Sequence, residues 1–351
     1  MRIFQVITVS EYGGAQSVVA NLSRELSKDH EVFIIYGGEG EAWTRLDPAI
    51  KRLRYGKHRK EISWKDFFLF LRLLYYRFRY RPDIIHLHSS KMGAIGRMAF
   101  PGKKVVYTVH GFDSMRVAFR KFLFVERILA PRTGRIVGVS DYDLQGMKEE
   151  NIKGKLDVVY NGIDDYRKED KPALNENLVN ELRAIRGKQG RIVMCIARIS
   201  KQKNFPLFVD TAKQLPRVAF VWIGNENPVE DLPENVYCLG SVEHAYRYLD
   251  YADIFILPSH YEGLPISIIE AMCFSKPALA SGVGGVSELI REGISGYTLP
   301  NNADEFAGHI KRLLENEAML DGFGKQARRD YEDQFTIRPM VEGYKRIYSE
   351  L

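Results

Sequence analysis

Cysteine is scarce in this chain of 351 residues. Its three thiols, Cys195, Cys238 and Cys273, stand far apart in apolar surroundings, with neither CxxC nor metal-ligand spacing. That excludes a disulfide framework and a zinc site and suits a reducing compartment. Long apolar runs are missing too. The longest, FFLFLRLLYY at 67–76, is interrupted by Arg72 and falls short of the roughly 20 residues that cross a bilayer. The opening MRIFQVITVS carries one positive charge and turns polar before Glu11, which does not read as a secretion signal. A cytoplasmic protein is therefore expected. Low-complexity segments and internal repeats are absent as well. With 45% hydrophobic residues the chain is long enough to bury two cores of ordinary size.

Acidic residues are thin in one place. Between 51 and 81 the chain holds 11 Lys and Arg against only Glu61 and Asp66, whereas its overall net charge is +6. A solvated helix face accounts for such a strip, but anionic lipid, nucleic acid or a phosphate-bearing substrate also suits it. No nucleic-acid-binding motif surrounds it, so nucleic acid is not an expected partner. The strip also carries Trp64, Phe67, Phe68, Phe70, Tyr75, Tyr76, Phe78 and Tyr80. On a helix over 63–80, Phe67, Phe70, Leu71 and Leu74 share one face and are expected to cover a sheet, which leaves the basic residues free for a membrane surface.

What the chain has in abundance is alternation. Short β-branched runs (2–9, 31–36, 84–88, 104–109, 135–139, 156–160) are separated by amphipathic stretches (15–28, 63–80, 91–99, 115–130, 141–150), the pattern of a parallel sheet wrapped by helices. Polar residues 161–177 interrupt it and read as a linker. A second alternation begins at 191 and ends in a helix over 337–350. The expected architecture is α/β: an amino-terminal Rossmann-like domain over 1–165 and a second over 166–336, followed by a last helix. Doubly wound domains that face each other bring the carboxyl ends of their strands to a common cleft, where such sheets bind ligands.

The segment PSHYEGLPISIIE at 258–270 is the richest in chemistry. It follows the apolar strand ADIFILP, so Glu262 belongs to a strand-to-helix loop, with Pro265 placed to open the helix and Glu270 in its second turn. Amides near Leu264, Ile266 and Ser267 would offer a phosphate site flanked by two carboxylates. On spacing alone this reading stands beside a plainer one, in which Glu262 caps the helix and Glu270 is a surface acid. Arg198 and Lys203 likewise read either as strand-end charges or as anion ligands. His110 ends the strand KKVVYTV, where it is a loop histidine or a site residue. His86 and His88 alternate on a strand without a third ligand at suitable spacing, so a structural role is expected and no metal. Asp113 is a possible orienter of His110.

Taken with its neighbours, this segment resembles the family 4 retaining glycosyltransferases of the GT-B fold. Glu262 and Glu270 stand at that family's E-x7-E spacing, and ARISKQKNF (197–205), VYNGID (159–164), VGVSDYDLQGM (137–147), ASGVGGVSELIREGISGYTL (280–299), TVHG (108–111) and GGAQ (13–16) match its other motifs in order. The family often has Glu where this chain has Gln16 and Gly where it has Ala197. The resemblance implies two Rossmann-like domains facing across a cleft, with the last helix, 337–351, packing back on the first, a nucleotide-diphosphate sugar donor with a lean to UDP, and a glycan or lipid-linked glycan acceptor in cell-surface polysaccharide assembly. It implies no cofactor and no metal. His110, Glu262, Arg198 and Lys203 would be catalytic. Gly13, Gly14, Gly263, Leu264, Pro265, Ile266 and Glu270 would join Arg198, Lys203 and Glu262 around the donor, Glu262 at the sugar hydroxyls, Glu270 at the ribose and the two cations at the pyrophosphate. A nucleotide-sugar epimerase of the same fold and a non-catalytic sugar-binding subunit are the rival readings. The first needs carboxylates on both faces of the sugar, and the second would be marked by loss of Glu262, Arg198 or Lys203.

Overall fold

In the computed structural model, which describes residues 1–40, 42–44, 46–56, 63–168 and 174–351, the chain divides into two compact units. Unit 1 contains Met1–Gly162 together with Ile337–Leu351, and unit 2 contains Ile163–Thr336. The boundary thus falls three residues before the expected 165/166.

Unit 1 runs β1 (Arg2–Val6), α1 (Gly14–Leu26), β2 (Glu31–Gly37), β3 (Lys51–Gly56), α2 (Asp66–Tyr80), β4 (Ile84–His88), α3 (Ser90–Ala99), β5 (Val105–Val109), α4 (Leu123–Leu129), β6 (Arg135–Gly138), α5 (Asp141–Glu149) and β7 (Leu156–Val158). Its strands form one sheet in the order β3-β2-β1-β4-β5-β6-β7, with every pair parallel. Unit 2 continues with α6 (Glu176–Gln189), β8 (Ile192–Ile196), α7 (Phe205–Gln214), β9 (Ala219–Ile223), β10 (Val236–Cys238), β11 (Ile254–Leu257), α8 (Ile266–Cys273), β12 (Ala278–Ser281), α9 (Val286–Leu289), β13 (Gly296–Leu299), α10 (Ala303–Leu314) and α11 (Glu317–Gln334). Its sheet, again all parallel, has the order β10-β9-β8-β11-β12-β13. Strands such as IVMCI and AFVWI are apolar throughout because helices cover both faces of a parallel sheet. The chain then ends in α12 (Ile337–Ser349), which belongs to unit 1. There Tyr344, Ile347 and Tyr348 are buried, and Lys345 bridges to Asp29 at 2.7 Å.

Several elements differ from expectation. Residues 51–56, within the basic strip where no strand was expected, form edge strand β3. The stretch 115–130 is broken: a π turn at Ser114–Ala118 and a 3-10 turn at Arg120–Phe122 precede the short α4. The polar run taken as a linker gives way at Asn175, whose side chain accepts from the amides of Asn177 and Leu178, to the unforeseen helix α6. Helix α2 is present in a different phase. Leu69, Leu73 and Tyr76 are buried against the sheet, with Phe70 and Leu74 beside them, while Phe67 and Leu71 are exposed. Both sides of this helix are apolar, so periodicity could not choose between them.

Helices α2, α3 and α4 pack side by side, α2 on α3 and α3 on α4. Arg97 of α3 and Glu126 of α4 form an ion pair of 2.6 Å that is nearly sealed from water, and the Arg97 guanidinium lies 4.5 Å from the centre of the Tyr107 ring. Removing one partner leaves an uncompensated buried charge. Glu126→Ala is expected to destabilise unit 1 by about 3 kcal/mol or more, and the double variant Arg97→Met/Glu126→Leu by clearly less. Urea unfolding of the three proteins measures both.

Candidate functional site

In unit 2 the chain leaves β8 through Ala197 and Arg198. The Trp222 indole donates to the Ala197 carbonyl at 2.6 Å, and a side chain on Gly224 would lie 2.5 Å from that oxygen, so a glycine with φ +123° is needed for the close approach. A 3-10 turn at Lys201–Lys203 and a left-handed Asn204 then lead into α7. Two bonds fasten this turn to the loop after β11: Gln202 donates its amide to the Tyr261 carbonyl at 2.9 Å, and the His260 amide donates to the Gln202 carbonyl at 2.8 Å.

That fastening delivers Lys203 to Glu262. Lys203 Nζ donates to Glu262 Oε1 at 2.5 Å, and Ser259 Oγ donates to the same oxygen at 2.6 Å. Glu262 is only 6% exposed, and no donor among the described residues meets its Oε2. Ser259 is itself held from two sides: its amide donates to Ser281 Oγ at 2.9 Å, and its carbonyl accepts from Asn301 Nδ2 at 3.1 Å. Behind the loop, Gly284 has φ +59°, and a Cβ there would sit 2.0 Å from the Glu262 carbonyl oxygen. Glu262 is therefore a positioned carboxylate beside a cation, and it does not cap the helix.

Pro265 stands just outside α8 rather than opening it, with φ −69° and ψ 120°. The bonds to its carbonyl come from the amides of Ile268 and Ile269, so Ile266 and Ser267 lie ahead of the helix's first hydrogen bond, where amides point outward at the positive end of the dipole. Glu270, one turn further on, is partly buried and meets no donor among the described residues. Burial pushes its carboxyl up to about 8. Arg198 is exposed and makes no ion pair among the described residues. Unit 2 thus gathers one paired cation, one free guanidinium, free helix amides and two carboxylates of different character along the carboxyl edge of its sheet.

In unit 1, α1 opens at Gly14, with Gly13 in extended backbone at the cap and no acidic side chain in the first turn. Gln16 donates to the Val9 carbonyl at 3.3 Å. His110 follows β5, and its Nε2 lies 2.9 Å from Nδ1 of His88 at the end of β4. Asp113 is not its orienter: its carboxylate accepts from Arg116 at 3.0 Å and from the Tyr142 hydroxyl at 3.0 Å. Sequence reasoning therefore named the wrong neighbour. The alternation of His86 and His88 in IIHLH was the signal, since the residue that ends one central strand lies beside the end of the next. Ser259 was missed outright, one serine among many in loops.

The profile described as glycosyl transferases group 1 matches residues 180–330, and the one described as glycosyltransferase family 4 matches 12–167. The chain belongs to the family 4 glycosyltransferases of the GT-B fold. A 41.2 kDa protein of the cps region of Klebsiella pneumoniae is 26% identical over 96% of both chains. A UDP-Gal:alpha-D-GlcNAc-diphosphoundecaprenol alpha-1,3-galactosyltransferase of Escherichia coli is 28% identical over 77% of this chain and 76% of its own. The crystal structure of Anabaena HepE in complex with UDP-glucose has the same fold, with a TM-score of 0.85 and 20% identity over the whole of both chains.

The Glu270 carboxyl gives this glycosyltransferase a measurable signature. An acid whose folded-state pKa is raised keeps a proton that the unfolded chain has lost, so stability falls as pH rises from the unfolded value of about 4.5 toward about 8. Glu270→Gln removes that fall. Relative to the parent, the variant is expected to gain stability steadily from pH 5 to pH 8 and no further above it, read from urea unfolding at a series of pH values.

Proposed function

We propose that the protein transfers a sugar from a UDP-sugar to an acceptor hydroxyl with retention of anomeric configuration, and that the acceptor is a lipid-linked glycan of bacterial capsule, exopolysaccharide or other cell-surface assembly. The observation that carries this reading is the Lys203–Glu262 pair at 2.5 Å beside the open amides of α8 and the unpaired Arg198. A diphosphate leaving group gathers negative charge as its bond to the sugar breaks. Arg198 and Lys203, with the amides of Ile266 and its neighbours, are suited to stabilise that charge without a metal ion or cofactor. Glu262 would offer Oε2 to sugar hydroxyls while Lys203 and Ser259 hold Oε1. Glu270, free of protein partners, would accept the ribose hydroxyls, and Gly263, Leu264 and Pro265 would line the approach. In unit 1, Gly13 and Gly14 are suited to a phosphate and His110 to the sugar.

In the proposed step the acceptor oxygen bonds to the anomeric carbon on the face from which the phosphate leaves, and the acceptor proton passes to the departing phosphate oxygen. No side chain need act as a covalent nucleophile, so catalysis rests on position and on charge. The UDP-Gal donor of the E. coli galactosyltransferase and the UDP-glucose held by HepE support a UDP-sugar donor.

The acceptor's lipid calls for a membrane surface, and the outer side of α2, α3 and α4 suits one. Trp64 and Phe78 are 73% and 68% exposed, and Phe67, Phe68, Leu71, Tyr75, Met98, Val117, Phe119, Phe124 and Ile128 are exposed with them. From 63 to 135 the chain has 15 Lys and Arg against four acids. All four acids are engaged: Asp66 with Lys91, Asp113 with Arg116, Glu126 with Arg97, and Asp83 with the Arg2 amide. Acids of later elements pair with Arg116, Arg120, Arg127 and Arg135, while Lys65, Arg72, Arg77, Arg79, Arg81, Lys103, Lys104, Lys121 and Arg132 make no ion pair among the described residues; aromatic side chains set among these cations match an anionic bilayer face. The footprint therefore reaches well beyond 51–81, where Lys57, Arg59 and Lys60 lie outside the described residues. We place the protein in the cytoplasm, peripheral to the inner face of the membrane.

Purified protein incubated with a panel of nucleotide sugars should hydrolyse one UDP-sugar slowly and transfer it when a suitable acceptor is added, with the anomeric configuration kept by NMR and the rate unchanged in chelator. Arg198→Ala and Lys203→Ala are each expected to cost on the order of 2 to 4 kcal/mol of transition-state stabilisation. Parent rates in both variants, or an inverted product, would overturn the assignment. Co-sedimentation with vesicles should rise with anionic lipid, fall with salt, and weaken in Arg72→Glu/Lys121→Glu and in Phe68→Ser/Phe124→Ser. Equal recovery in the supernatant with neutral and anionic vesicles at low salt would leave a soluble acceptor.

A further inference from the structure

Behind His110 lies a chain of buried polar side chains that the reaction scheme does not use. His88 places Nδ1 2.9 Å from His110 Nε2 and Nε2 2.7 Å from the Gln5 carbonyl oxygen. Gln5 Nε2 donates to the Tyr348 hydroxyl at 3.4 Å. Tyr348 in turn stands 2.7 Å from His86 Nδ1, and His86 Nε2 lies 2.7 Å from Thr108 Oγ1, which is 3.0 Å from the Tyr344 hydroxyl. Gln5, His86, His88 and Thr108 are fully buried. The sequence brings them together from β1, β4 and β5 and closes the chain with two tyrosines of α12.

Such a chain can be polarised in only one sense at a time. A carbonyl oxygen cannot donate, so the Gln5 oxygen requires a proton on His88 Nε2. A neutral imidazole carries one proton, which leaves His88 Nδ1 as an acceptor, and that acceptor requires a proton on His110 Nε2. Burial keeps His86 and His88 well below the ordinary histidine range and pushes His110 down to about 4, so all three are neutral at pH 7. No described residue donates to or accepts from His110 Nδ1.

We propose that Tyr348 and Gln5, acting through His88, are positioning residues that lock His110 as its Nε2–H tautomer and so present a bare Nδ1 as a hydrogen-bond acceptor. The role of that acceptor, to receive a hydroxyl of the donor sugar, rests on the transferase reading above; the tautomer does not. The Tyr348 hydroxyl accepts from the Gln5 amide and so keeps its own proton for His86 Nδ1, and this Gln5–Tyr348 bond sets which end of the amide faces His88. Tyr344 sits beyond His86 and Thr108, at the far end, and makes no hydrogen bond to Gln5, His88 or His110 among the described residues.

Long-range proton–nitrogen NMR of the full-length, histidine-labelled protein without substrate reads the tautomer directly, with His110→Gln used to assign its signals. The parent should show a protonated Nε2 and an unprotonated Nδ1 at His110. Tyr348→Phe should convert this to a mixture and lower kcat by about 10- to 100-fold with little change in donor KM, as loss of a group that orients another typically does. Tyr344→Phe, a loss of the same hydroxyl from the same helix, should lower the melting temperature without moving the tautomer or kcat. A protonated Nδ1 in the parent overturns the proposal, and so do equal effects of the two tyrosine variants on tautomer and kcat. Because the spectrum needs no donor, the tautomer can fail while the transferase reading stands, and the reverse.

Discussion

A parallel sheet cannot return its chain by a hairpin; every strand must be followed by a crossover, and all strands therefore end at one edge. In both units of this protein that constraint collects the chemistry. Gly13 follows β1, His88 ends β4, and His110 follows β5 in unit 1, while Arg198 follows β8 and Glu262 follows β11 in unit 2. None of these residues lies near its partners in sequence. The edge also supplies the one place where a doubly wound sheet leaves loop amides and helix amino termini free of strand pairing, which is where anions bind.

The two carboxylates of the E-x7-E pair show how local surroundings divide one residue type into two. Glu262 is buried, and it is kept in place by Lys203 and Ser259 on one oxygen, so the attraction of the cation offsets the loss of water. Glu270 is less enclosed yet has no donor, and burial without a partner drives its proton affinity up. A site with one fixed charge and one that depends on its occupant differs from a site with two equal acids. The distinction draws on Gln202, Ser259 and Gly284, residues to which no contact with the donor is assigned.

Much of this was legible from the residues. The βα rhythm and the apolar strands announced two wrapped sheets, and the strand-to-helix position of PSHYEGLPISIIE put Glu262 at the edge because chain direction alone decides that. What remained hidden has physical reasons. The phase of α2 could not be read, since Leu69, Leu73 and Tyr76 on one side and Phe67, Phe68 and Phe78 on the other are equally apolar. Helix α6 was masked by the polarity of its surroundings, although Asn175 marks its start and Leu178, Leu182 and Ile185 its buried face. The contact of His88 with His110 depends on strand order, and order is a property of the whole sheet rather than of a segment. Asp113, three residues from His110 in sequence, was the natural local guess, but Arg116 and Tyr142 claim it.

The assignment of α12 to unit 1 bears on how the protein is made. Unit 2 is one uninterrupted segment, and its ends are joined by a hydrogen bond that the Ile163 amide donates to the Phe335 carbonyl at 3.1 Å. Unit 1 is split, and the hydroxyls of Tyr344 and Tyr348 that meet Gln5, His86 and Thr108 come from a segment synthesised after the whole of unit 2. Until then Gln5, His86 and Thr108 keep only their partners within the sheet, His88 for Gln5 and each other for His86 and Thr108, and each lacks the tyrosine that completes its bonding. The half of the chain synthesised first is thus completed by the segment that follows unit 2, and a chain clipped before α12 would hold every residue of unit 2 but an amino-terminal sheet without its two tyrosines.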